Sequence, residues 1–197
     1  MRQLVYFIAS TLDGFVADPE GSDPTATGGF WPIGQDYLHH LVAEYPETLP
    51  GPARQALGIT AEGTHFDTVV EGRKSYEIGL GAGVTDAYPH LRHIVFSRTL
   101  TSPDPAVTVV ADDPVSAVRE LKRDDGKDIW LVGGGDLAGS LRPEIDRIIL
   151  KVAPLTLGAG TPLFGRRIGF EPHTWRLVDH TVLSSGTLFL TYDRAAA

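Results

Sequence analysis

IWLVGGGDLAGSL, residues Ile129–Leu141, runs from four apolar residues through three glycines into a stretch of helical composition. A buried strand, a glycine turn and a helix in that order describe one unit of an α/β fold. Glycines allow close backbone approach to an anion, and the N–H groups and positive dipole end of the following helix stabilise its charge. Gly133-x-Gly135-x-x-Ala138 meets the loose dinucleotide fingerprint. Two features set it apart from an ordinary Rossmann turn: it comes late in the chain, and LKVAPLTLGAG, about 20 residues on, lacks the carboxylate that would meet a ribose. A tight turn that needs glycine only for packing reads this loop equally well.

The same alternation extends outward. Leu4–Ala9 is a continuous β-forming apolar run, and shorter ones follow at Thr68–Val70, His93–Phe96, Val107–Val110 and Ile148–Val152. Helical segments lie between them at Gln35–Tyr45, Pro52–Leu57, Pro114–Lys122 and Leu137–Leu141. This predicts an α/β sheet with parallel pairs. At the end, WRLVDHTVL and TLFLTYD joined through Ser184-Ser185-Gly186 predict an antiparallel hairpin, so the sheet is mixed. Pro/Gly-rich stretches at 19–34 and 154–165 read as functional loops, and there is no internal repeat.

At 197 residues with 42% hydrophobic content, the expectation is a single domain over 1–197. Seventeen Lys and Arg against 25 Asp and Glu give a net charge of -8, which disfavours nucleic acid as a partner. The absence of cysteine excludes thiol nucleophiles and cysteine-ligated metals. The N-terminal apolar run is broken by Ser10-Thr11 and Asp13-Gly14, too early for a leader, and no stretch approaches the roughly 18 apolar residues of a membrane span. The expectation is a cytoplasmic protein without membrane association.

Two more strand ends carry anion-binding chemistry. In VVEGRKSYE, Arg73 and Lys74 follow Gly72 at a helix start, where two cations oppose the dipole unless an anion joins them. A solvated basic pair near Glu71 and Glu77 is the plainer alternative. IVFSRTL ends a further strand in Ser97, Arg98 and Thr99, a forked donor flanked by hydroxyls that suits a phosphomonoester. Three such strand ends describe a dinucleotide carrying an extra 2′-phosphate, which favours NADPH over NADH.

In order and spacing, STLDGFVA, WPIGQD, VVEGRKSYE, VFSRTL, LVGGGDLAGSL and DRIILKVAPLTLGAGTPLF resemble the dihydrofolate reductase superfamily over nearly the whole chain. APLTLGAGTPLFG is most similar to the C-terminal reductase domain of the bifunctional riboflavin-biosynthesis deaminase/reductase. The resemblance implies a three-layer α/β/α domain around a mixed, mostly parallel sheet with a C-terminal antiparallel hairpin. It implies that Ala9, Val16 and Ala17 border the nicotinamide of NADPH. Gly72, Arg73, Lys74 and Ser75 would meet its phosphates, Ser97, Arg98 and Thr99 its 2′-phosphate, and Gly133, Gly134, Gly135, Asp136 and Leu137 its pyrophosphate. Asp136 departs from the Arg or Lys of many members and would weaken phosphate binding unless it points away. A homodimer is also implied.

On the substrate side, the spacing from Trp31 to Asp36 equals that of the dihydrofolate reductase motif whose Asp holds the pterin. A buried carboxylate there could have a raised pKa suited to proton transfer, whereas an ordinary first-turn Asp explains the position without a substrate. His40 matches a family position packing on the bound ring. Lys151 replaces the Thr that normally bonds the pterin-holding Asp. It would either pair with Asp36, lowering the carboxylate pKa, or meet a substrate phosphate. Asp36 and Lys151 are thus the candidate catalytic residues, with Trp31 and His40 completing the substrate set. The adjacent His39 and His40 point about 100° apart on a helix and do not make a metal site. Pro46–Phe66 reads as a hairpin-sized insertion.

The reaction implied is hydride transfer to a pyrimidine- or pteridine-type small molecule, most like 5-amino-6-(5-phosphoribosylamino)uracil reductase of riboflavin biosynthesis. Dihydrofolate reduction is the enzymatic alternative. A nucleotide-binding scaffold that kept the fold without turnover is the other.

Overall fold

The computed structural model describes residues 1–25, 29–31 and 33–195. Pro32 of the WPIGQD motif and part of the 19–34 loop therefore lie outside the described residues, as do the last two residues of the 1–197 span.

The chain begins with β1 (Leu4–Thr11), β2 (Phe15–Ala17), α1 (Gln35–Glu44), α2 (Gly51–Ala56), β3 (Phe66–Gly72) and α3 (Arg73–Gly81). It continues through β4 (Arg92–Phe96), β5 (Thr108–Val110), α4 (Pro114–Leu121), β6 (Asp128–Gly133) and α5 (Gly135–Leu141). The last elements are β7 (Arg147–Ala153), β8 (Thr161–Pro162), β9 (Trp175–Val182) and β10 (Leu188–Arg194). Eight strands form one sheet in the order β5-β4-β3-β6-β1-β7-β10-β9. The first six are mutually parallel, and β10 and β9 complete it antiparallel.

Alternation of side chains along each strand divides the core between two faces. Leu4, Tyr6, Ile129, Leu131 and Ile148 pack with Val118 and Leu121 of α4 and Ala138 and Leu141 of α5. Val5, Phe7, Val69, Trp130 and Ile149 pack with Tyr37 and Leu41 of α1 on the other face. This is the dihydrofolate-reductase-like α/β arrangement, and the paired hairpin turns at Leu183–Thr187, where Leu183 donates to the Thr187 carbonyl.

One feature differs from the expectation. β2 and β8 form a small antiparallel ribbon, Phe15 opposite Pro162 and Ala17 opposite Thr161, too short to leave a period in the sequence. The insertion Pro46–Phe66 holds a 3-10 turn at Pro46–Thr48 and α2, close to the helical segment expected at Pro52–Leu57, both with proline in the first turn. The buried Glu47 carboxylate accepts the His65 and Phe66 N–H groups and fastens this insertion to the start of β3.

Candidate functional site

Because six neighbouring strands are parallel, their carboxyl ends lie along one edge, where ligands of open α/β sheets bind. Following the sheet order, that edge carries Ser97–Thr99 after β4, Gly72–Ser75 after β3, Gly133–Leu137 after β6, then Ala9 in β1 and Lys151 in β7.

The two glycine turns form one cradle. A Cβ on Gly72 would stand 3.7 Å from the Gly133 carbonyl, the Gly134 nitrogen and Leu137. Cβ atoms on Gly133 and Gly134 would lie 3.8 and 3.7 Å from the Ser75 hydroxyl. A bulge at the end of β6 sets this turn, with Glu71 opposite Gly133, whose φ of 143° favours glycine. Gly135 has a different reason to be glycine, since a Cβ there would overlap the Pro162 carbonyl.

Asp136 is committed elsewhere. Its carboxylate lies against Gly165 and accepts the Arg166 N–H at 3.4 Å, so the 163–166 loop engages the charge that opposed phosphate binding. Arg73 pairs with Glu77 at 3.0 Å, while the exposed Lys74 and Arg98 make no ion pair among the described residues. The Ser97 hydroxyl oxygen accepts the Thr99 and Leu100 N–H groups, shaping the turn that presents Arg98.

Behind the GRKS turn lies a cluster that the sequence reading missed. Buried His93 of β4 meets Glu71 through Nε2 and Asp86 through Nδ1, both at 2.8 Å. Desolvation pushes the imidazole pKa down, but hydrogen bonds to the two carboxylates outweigh it and hold the pKa above the ordinary value. These residues are separated by 15 and 7 positions and carry no local spacing signal.

Asp13 was also missed. Its carboxylate accepts the Thr11 hydroxyl and the Gly158 N–H at 2.6 and 2.7 Å, and joins the loops after β1 and β7. Thr-x-Asp-Gly was the available signal, a side-chain-capped turn. Val16 and Ala17 lie half-buried on β2 beside this junction.

The substrate side corrects two expectations. Asp36 does not pair with Lys151. Its Oδ2 instead accepts the Ser185 N–H at 2.7 Å and the Ser184 hydroxyl at 2.8 Å, and Oδ1 accepts the Tyr37 N–H. Its pKa is not raised: the Ser185 N–H and then the Ser184 hydroxyl lower it to about 2. Asp36, Gln35, His39, Ser184 and Ser185 line an open depression of about 550 Å³.

Lys151 lies opposite Ala9 of β1 and Phe189 of β10, its Nζ 4.1 Å over the Phe7 ring and 6.0 Å from that of Tyr37. Loss of water in this apolar setting lowers its pKa to about 7. His40 meets the Phe189 ring edge-on at 4.3 Å. Trp31 is buried, its N–H donating to the Pro24 carbonyl.

The sequence model of the RibD C-terminal domain family matches residues 2–189. The chain belongs to this family. Among its relatives, YyaP of Bacillus subtilis (strain 168) is 30% identical, with 97% of this chain and 94% of that protein covered. YwjB of the same organism is 29% identical, with 83% of each covered; both are named as uncharacterized proteins. This RibD C-terminal domain superposes on a putative riboflavin biosynthesis protein from Shewanella sp. PV-4 with a TM-score of 0.66, 22% identity and full coverage of both chains. It also superposes on a diaminohydroxyphosphoribosylaminopyrimidine deaminase/5-amino-6-(5-phosphoribosylamino)uracil reductase from Thermotoga maritima with a TM-score of 0.65 and 17% identity. That match covers 98% of this chain and 57% of the other. These two likenesses establish the fold.

Proposed function

We propose that the protein is an NADPH-dependent reductase of a pyrimidine- or pteridine-type substrate, most like 5-amino-6-(5-phosphoribosylamino)uracil reductase. The observation that carries this reading is the order of groups along the sheet edge. From β4 to β1 the edge crosses three strand spacings, about 14 Å at about 4.8 Å each, the reach of an extended dinucleotide. Arg98, with no ion pair among the described residues, stands at one end, the Gly72 and Gly133–Gly134 cradle in the middle and Ala9 at the other.

The cofactor fits these residues. Arg98 suits the 2′-phosphate, Lys74 and Ser75 with the glycine-turn N–H groups suit the pyrophosphate, and Asp136 is held by the 163–166 loop. Ala9, Val16 and Ala17 border the nicotinamide, which when bound supplies the hydride. The protein's part is to orient the two partners and exclude water. Trp31, His40 and Lys151 shape the substrate end, and Asp36 holds the hairpin turn beside it. Dihydrofolate reduction is disfavoured because Asp36 is ionised and already accepts three hydrogen bonds.

The test measures thermal stabilisation by NADPH and its oxidation at 340 nm with either 5-amino-6-(5-phosphoribosylamino)uracil or dihydrofolate. Stabilisation with turnover of the aminouracil is expected. Stabilisation without turnover of either would replace the enzyme with a nucleotide-binding scaffold.

We also propose a homodimer joined through the edge strand β9, whose Leu177, Val178 and Val182 are exposed. Sedimentation of the wild type as a dimer and of Val182→Lys as a monomer is expected; a monomeric wild type removes the dimer.

A further inference from the structure

Lys122 is buried and Lys151 half-buried, and of these two only Lys122 meets a carboxylate among the described residues. Lys122 meets the Asp146 carboxylate at 2.6 Å and donates to the Glu144 carbonyl. Lys151 has no carboxylate and no hydrogen-bond acceptor among the described residues; its amine rests on the face of Phe7. A cation partly withdrawn from water without a counter-ion is costly, and the ring face offsets only about 0.5–2 kcal/mol of that cost. Ile149, two residues earlier on the same face of β7, shows what packing alone selects at such a position. An unpaired amine in its place calls for a chemical reason.

Its location supplies one. Lys151 is the residue of β7 directly opposite Ala9, one strand from the nicotinamide end of the proposed cofactor site. Its flexible four-carbon stem lets Nζ meet an acceptor lying over that end of the sheet. Asp36, the other candidate, already accepts three hydrogen bonds and stays ionised.

Resting on the reductase reading, we propose that Lys151 is the proton donor, and that the substrate's hydride-accepting carbon is doubly bonded to oxygen or nitrogen. As the hydride forms the new C–H bond, the π pair of the C=O or C=N takes the proton from Nζ, breaking one N–H bond. Carbonyl becomes alcohol, or imine becomes amine; the nicotinamide is oxidised, and the neutral lysine regains its proton from water. An amine titrating near neutrality is matched to that task. Among the described residues, the titratable rings packed around it are Tyr37, 6.0 Å from Nζ, and, beyond Phe7 and Phe189, Tyr45 and His40.

Lys74, Lys122, Lys127 and Lys151 are the chain's lysines, so protein labelled with ¹³C at lysine Cε gives four signals, of which Lys151→Met removes one. That signal is expected to titrate near pH 7, and wild-type kcat is expected to fall above the same pH. Met fits the apolar site, so K151M should fold, keep its stabilisation by NADPH and lose about 10²–10⁴-fold in kcat. Lys151→Arg keeps the charge but cannot release a proton at neutral pH, and should be similarly slow. A Lys151 signal still charged at about pH 9, as in an ordinary lysine, or a K151R kcat near wild type, overturns the assignment while wild-type turnover stands. Absence of wild-type turnover with carbonyl and imine acceptors overturns the reductase reading itself, and the proton step with it.

Discussion

The Asp36 carboxylate accepts the backbone N–H of Ser185 at 2.7 Å, tying the first turn of α1 to the β9–β10 hairpin across 149 residues of chain. A residue expected to hold substrate thereby braces the wall of the depression that it lines with Ser184 and Ser185. The lowered pKa makes this contact pH-dependent. A carboxylate whose pKa is depressed by folding stabilises the native state above its unfolded value and loses that contribution as pH falls through the folded one. Asp36→Ala should therefore lower Tm at pH 7, and the difference from wild type should shrink between pH 3.8 and about 2. A pH-independent difference in calorimetry would mean that the ionised carboxylate is not what holds the turn.

Arg98 is presented by a turn that the Ser97 hydroxyl caps, and it makes no ion pair of its own among the described residues. Removing a charge-assisted contact of this type costs about 1.5–3 kcal/mol. Arg98→Ala is expected to weaken NADPH by roughly 10- to 100-fold and to leave NADH nearly unchanged. Equal losses for both nucleotides in calorimetric titration would remove Arg98 from the 2′-phosphate.

Gly72 and Gly135 differ in what a methyl group would meet. At Gly72 every neighbour is 3.7 Å or more away and φ is ordinary, so the fold accommodates Ala while the added methyl narrows the cradle. At Gly135 the methyl would overlap the Pro162 carbonyl. Gly72→Ala should thus keep its Tm and bind NADPH about tenfold more weakly, a change of about 1.4 kcal/mol. Gly135→Ala should lose about 1–3 kcal/mol of stability by overpacking. A Gly72→Ala protein that binds NADPH like wild type would separate the cradle from the cofactor.

How much of this was legible in the sequence depends on whether a contact is local. Continuous apolar runs marked the central strands because burial on both faces leaves little room for polar residues. Glycine followed by polar residues marked the edge turns. The Asp36 partners were not legible because its contact with the Ser184–Ser185 turn depends on where α1 lies against β10. The Asp136 carboxylate turned out to be engaged by the 163–166 loop, another relation that spacing does not carry. The β2–β8 ribbon escaped for a simpler reason: strands of three and two residues have no period.

His93 tests whether the buried cluster behind the GRKS turn braces it. Its pKa is raised in the folded state, so its contribution is fully present below the unfolded value of 6.5 and is lost as pH rises through the folded one. The Glu71 pKa is also raised, by desolvation, which its hydrogen bond with His93 opposes. Replacing His93 with Gln keeps one polar group and removes the charge, leaving one of the Glu71 and Asp86 carboxylates without its hydrogen-bond donor. His93→Gln should therefore be destabilised by about 1–3 kcal/mol, with a larger Tm difference at pH 6 than at pH 9. Because Glu71 immediately precedes Gly72, NADPH affinity should fall as well, while Arg92→Gln, which removes only an exposed pair with Asp124, should alter neither measurably. A His93→Gln protein as stable as wild type at pH 6 would show that the imidazolium is not what holds the two carboxylates in place.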